Sequence, residues 1–238
     1  MARALFAPSN LESAESGGWV SIADMMTGLM VVFMFIAIIY IDNIQEQNAQ
    51  IREIAVAFEE AEADIYDALV DEFETDLPVW NAIIDRESLA IRFQAPEVLF
   101  LPGSSALRPE FKDIIDDFFP RYIRVLDAHA DSIEEVRIEG HTSSDWAGEP
   151  SEMQAYFNNM GLSQARTRSV LSYSLDREGL DAHYPWARRA LTANGLSSSR
   201  PIKTDGAEDR EASRRVEFKV RTDAKTQMVR VLQSVDAR

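Results

Sequence analysis

The sequence predicts an α+β domain carried behind a single N-terminal transmembrane helix and a helical, dimerising linker. Three observations predict it. Residues 19–41 are a run of 23 mostly apolar residues, about 35 Å of helix and long enough to cross a bilayer. Residues 42–76 contain neither glycine nor proline and repeat their apolar positions by sevens. Beyond Pro78, short alternating segments suited to strands are separated by helical ones.

Residues 1–18, with Pro8, Ser9, Gly17 and Gly18, are expected to form a flexible cytoplasmic arm. The transmembrane helix takes residues 19–41, with Trp19 and Tyr40 suited to its two interfaces. Within it, Asp24 is the informative residue. An acid at membrane depth is unfavourable by roughly 2.5–3.5 kcal/mol on insertion scales, and its default reading is a site on an ion or proton pathway. Thr27 and Gly28 share its helix face at i+3 and i+4, and Ser21 lies one turn earlier, so hydroxyls and a gap flank the carboxyl. The alternative is a polar residue that joins helices. Met25, Met26, Met30 and Met34 are expected to pack. Arg3 and Arg52 alone give little charge bias, so the short arm and large C-terminal part orient the chain, N-terminus inside.

The linker covers residues 42–78. Ile44, Ile51, Phe58 and Ile65 recur every seven residues, with Ile54, Ala61 and Ala68 between them, the pattern of a parallel coiled coil. Residues 42–90 carry fourteen acids against Arg52 and Arg86 alone, which fits a solvated face or a paired rod resisting nonspecific association. The domain is expected over residues 79–222. Its strands are predicted at 89–94, 135–141, 189–195 and 215–221, and its helices at 109–129, broken near Pro120, and 158–178. Residues 223–238 are expected to be a terminal helix or frayed tail.

Composition removes several functions. A net charge of −16 over 238 residues argues against nucleic acid as a partner and against broad adhesion to anionic lipid. With no cysteine there are no disulfides and no thiol chemistry, and His129, His141 and His183 show no metal-ligand spacing, so no metal and no cofactor are expected. No nucleophile and base fall into a recognisable constellation, so the chain is not expected to be an enzyme.

Two stretches resemble known families. Residues 19–36, with Ala23, Asp24, Met25, Met26 and Thr27 in succession, resemble the ion-carrying helix of MotB-type stator subunits. Residues 98–111, 138–145, 159–170 and 213–218 resemble, in order, four blocks of the OmpA-like peptidoglycan-binding domain. The resemblance implies a site for the wall stem peptide made by Thr142, Ser143, Asp145, Asn159, Leu162, Arg166 and Arg214. A guanidinium fork suits a carboxylate, and an acid suits an ammonium. Ser143 stands where that family carries an acid, and Asp145 follows two residues later as a candidate substitute; Thr167 replaces a usual alanine. Arg166 has an alternative as a structural tie, His141 as a packing residue, and Arg214 and Arg215 as sheet-edge or core-bridging residues.

Together the resemblances imply a stator subunit in the bacterial inner membrane, its C-terminal domain periplasmic. It would work as a homodimer inside a MotA/ZorA-like multi-helix membrane partner, passing H⁺ or Na⁺ by way of Asp24, Thr27 and Ser21. The acidic linker, the short length and an arm poor in basic residues resemble the Zorya anti-phage defence family more than flagellar stators. A flagellar-type stator and a passive envelope tether are the alternatives.

Overall fold

The computed structural model of the chain describes residues 12–94, 96–148, 151–177, 180 and 182–223. The first residues of the arm, 1–11, and the tail from 224 onward lie outside them. Helix α1 (Glu12–Phe73) includes residues 12–18, so the second half of the expected flexible arm is helical. Gly17 and Gly18 oppose helix by about 1 kcal/mol each relative to alanine, but no proline lies between Pro8 and Pro78 to stop it.

The chain divides into two compact units between Ile54 and Ala55. In the first, every side chain from Ser21 to Gln50 is exposed. An 18-residue window of this helix has a mean hydropathy of 2.4, and it is the one helix among the described residues long and apolar enough to cross a membrane. A helix apolar around its whole circumference suits lipid and other helices as its surroundings.

The second unit is built on strands β1 (Ala82–Asp85), β2 (Ala90–Phe93), β3 (Ile133–His141), β4 (Leu191–Gly195), β5 (Lys203–Thr204), β6 (Ala207–Glu208) and β7 (Arg215–Thr222). Helices α2 (Pro96–Leu99), α3 (Pro109–Asp127), α4 (Glu152–Leu175), α5 (Tyr184–Ala190) and α6 (Arg210–Ser213) connect them. The main sheet has the order β1-β2-β7-β3-β4, and β5 and β6 form a separate hairpin. β3 and β4 run parallel, which requires the crossover that α4 and α5 supply, and the other neighbours are antiparallel.

One sheet face packs on α3. Phe111, Ile115, Phe118, Phe119, Tyr122, Ile123 and Leu126 recur at helical spacing and are buried. Phe118 stacks on Tyr122 at 4.9 Å and meets Phe218 of β7 edge-on at 5.0 Å. This packing carries α3 straight through Pro120, where the sequence predicts a break. The helix loses one backbone hydrogen bond there, but Phe118, Phe119, Tyr122 and Ile123 on either side are all fully buried. The core also takes the end of α1. Ile65, expected on the coiled-coil seam, is fully buried with Leu69 and Phe73 against the domain, a spacing of four rather than seven. Arg121 holds that end through Glu72 at 2.6 Å and Asp76 at 2.9 Å.

α4 starts earlier than predicted, at Glu152, because Ser151 and Gln154 close a capping box. Two glycines let it press on the sheet. A Cβ on Gly140 would meet the Thr167 methyl at 2.6 Å, and one on Gly195 would fall inside the backbone of Gln164. The segment predicted as a strand from residue 189 begins instead at Leu191, since Arg189 and Ala190 close α5.

Candidate functional site

Thr142, Ser143, Asp145, Asn159, Leu162, Arg166 and Arg214 all line one cleft of about 430 Å³. Three parts of the fold bring them together. β3 delivers Thr142 and Ser143 at its end. α4 contributes Asn159, Leu162 and Arg166, spaced i, i+3 and i+7 and therefore on one face. Arg214 stands between α6 and β7.

Arg166 is half-buried. Its Nε donates to the Ser104 carbonyl at 2.9 Å and its Nη2 to the Leu101 carbonyl at 3.2 Å, with the guanidinium 4.8 Å over the Phe100 ring. It ties α4 to the loop at 101–104, and it has no carboxylate partner among the described residues. Burial pushes its pKa down to about 10, and the neighbouring charge of Arg214 adds to the shift. Thr142 is 4% exposed, and its hydroxyl has no hydrogen-bond partner among the described residues.

The loop after β3 is held from several sides. Asn159 Nδ2 donates to the Asp145 carbonyl at 3.0 Å, so this side chain supports the loop. The Ser144 amide and hydroxyl donate to the two Glu208 oxygens at 3.0 and 2.5 Å. Asp145 lines the cleft, but its carboxylate lies 3.1 Å from Arg210 Nε, with both side chains more than half exposed. Ser143 is buried at the cleft wall. Sequence reasoning missed Glu208 and Arg210, and also Phe100 and Trp146 in the lining. For the first two a signal existed. Asp205 and Gly206, at φ 53° and 84°, make the turn of the β5–β6 hairpin that presents Glu208, and an Asp-Gly pair between two short extended segments is a hairpin signal.

On the sheet face opposite α3 lies a buried ion network. Register places Glu139 opposite Glu217 and His141 opposite Arg215. Two buried carboxylates facing each other are unfavourable alone. Arg215 Nε at 2.5 Å and Arg92 Nε at 2.8 Å hold Glu217, and Arg200 lies 3.5 Å from Glu139. Burial pushes the Glu217 pKa up, but Arg215 outweighs it, with help from His141 and Arg92, and brings it down to about 2. His141 is a packing residue inside the fold, 3% exposed, with Nε2 3.7 Å from Glu139 and 3.9 Å from Glu217. Burial pushes its pKa down, and the two carboxylates only partly offset that. Glu139, His141 and Glu217 offer atoms within 4.8 Å of one another, a spacing that admits a metal. A dication there would face Arg92, Arg200 and Arg215, so the group is better matched to the arginines it already has.

In the apolar helix, Asp24 and Ser21 are exposed and Gly28 has open space beside it. Thr27 is exposed too. Its hydroxyl donates to the Ala23 carbonyl at 2.8 Å, one turn back along its own helix.

The class follows from these parts: residues 99–215 match the OmpA family, and they stand behind one membrane-length helix. The chain is also 51% identical over 217 residues to the Zorya protein ZorB of Escherichia coli, spanning 90% of this chain and 92% of that protein. It belongs to the ZorB family. Among solved structures it is similar to a MotB-like protein from Desulfovibrio vulgaris (21% identity, TM-score 0.48, 73% of this chain and 99% of that one). It is also similar to the cell wall anchor of the T6SS from Pseudomonas aeruginosa (23%, TM-score 0.44, 65% and 96%). A third is the periplasmic domain of Helicobacter pylori MotB (14%, TM-score 0.42, 61% and 84%).

Proposed function

We propose that this chain is the ion-carrying, wall-held stator subunit of a Zorya anti-phage motor in the bacterial inner membrane, with its N-terminus cytoplasmic and its OmpA-like domain periplasmic. The observation that carries the reading is Asp24, an acid inside a helix apolar on every side, in a chain of the ZorB family. One helix cannot enclose an ion pathway, so a multi-helix membrane partner of MotA/ZorA type surrounds two copies of it. A proton or Na⁺ neutralises Asp24 and lets the partner's apolar surface pass a carboxyl it otherwise resists. The membrane potential supplies about 2.3 kcal/mol per charge per 100 mV. The Arg166 cleft grips a carboxylate of the peptidoglycan stem peptide, which holds the pair still while the partner moves.

The test is phage plaque counting in a host that carries the complete system. Asp24→Asn is expected to abolish protection while the protein remains at normal level in the membrane. Full protection by that variant would leave a passive envelope tether as the reading.

A further inference from the structure

We propose that the cleft recognises its ligand through two carboxylates and leaves the ligand's amine unread. This inference rests on the wall-binding reading of the same site. Two cations line the cleft, Arg166 and Arg214. Neither has a carboxylate partner among the described residues, although the chain as a whole carries a net charge of −16. Cations left unpaired in so acidic a protein concentrate a positive potential at one place, and a concave wall focuses it. Thr142 adds a buried hydroxyl with no partner among the described residues, a donor placed for the same anion.

The opposite charge is provided for differently. Among the described residues Asp145 is the one acid in the lining, and Arg210 already sits against it. An ammonium arriving there exchanges one exposed ion pair for another, which in water is close to neutral. A carboxylate arriving at Arg166 or Arg214 breaks no ion pair among the described residues. At Arg166 it also meets a guanidinium partly withdrawn from water, where a charge-assisted hydrogen bond is stronger. The balance therefore favours a stem peptide whose diamino acid keeps both of its carboxylates free.

The experiment titrates the purified full chain with three soluble stem peptides: unmodified, amidated on the side-chain carboxyl, and acetylated on the side-chain amine. Amidation is expected to weaken binding about tenfold or more, the loss of one charged hydrogen-bonded contact, and acetylation to change it less than about threefold. Arg214→Gln, at an exposed position, is expected to reproduce the loss for the unmodified peptide and to bind the amidated one no worse than the native chain does. Loss of binding on acetylation, with amidation tolerated, would show that Asp145 reads the amine and would overturn the proposal. Failure of all three peptides to bind would remove the wall-binding reading itself, and this proposal with it.

Discussion

Arg166 and Arg215 are two arginines withdrawn from water in the same domain, and they are used in opposite ways. Arg215 is 7% exposed and fully engaged: Nε on Glu217 at 2.5 Å, Nη1 on the Ser213 carbonyl at 3.2 Å and the Arg200 carbonyl at 3.3 Å. Among the described residues Arg166 donates only to backbone carbonyls and has no carboxylate beside it at the cleft. A guanidinium whose counter-charge is inside the protein belongs to the fold. One whose counter-charge is missing is available to a ligand, and burial makes that vacancy worth more.

That contrast can be broken in three places. The largest stability effect is expected from Arg215→Ala. It leaves two facing carboxylates with less than their share of cation, and removing one partner of a buried pair costs about 3–5 kcal/mol. Urea unfolding would measure it, and a loss under about 1 kcal/mol would mean that Arg92 holds Glu217 alone. Acid comes next. A folded pKa near 2 lies below the unfolded value of about 4.5, so the stabilisation from Glu217 is complete above pH ~4.5 and lost as pH falls towards 2. The loss is on the order of 1–3 kcal/mol, and Glu217→Gln should flatten that part of the stability–pH curve. The smallest stability effect, about 1 kcal/mol for two hydrogen bonds to carbonyls, is expected from Arg166→Ala. The same variant is expected to lose co-sedimentation with purified peptidoglycan. Retained binding would return Arg166 to a purely structural role.

Much of this architecture was legible in the residues. The apolar run, the alternation of 215–221 and the helical spacing of α3 each report a local periodicity, and periodicity is a property of neighbouring residues. Where the reading erred, a distant contact had outweighed a local rule. Pro120 does not interrupt α3 because the aromatic core holds both of its sides. Ile65 follows the heptad in sequence yet belongs to the domain core, because Leu69 and Phe73 turn that face inward. Glu208 and Arg210, which brace the loop after β3, lie more than sixty residues from it, and only the Asp-Gly turn before them gave a local sign.

The two arginines divide along the same line. Sequence alone determined that the chain has one membrane-length helix with an acid inside it, and that Arg166 shares a helix face with Asn159 and Leu162, since both follow from length and helical spacing. Tertiary structure alone decided which of Arg214 and Arg215 is bound inside and which faces the cleft, and that Asp145 leans on Arg210. Arg214 caps α6 while Arg215 opens β7, so the two neighbours belong to different elements. What each meets depends on segments that are distant in the chain, and so does whether a charge finds its partner within the protein or outside it.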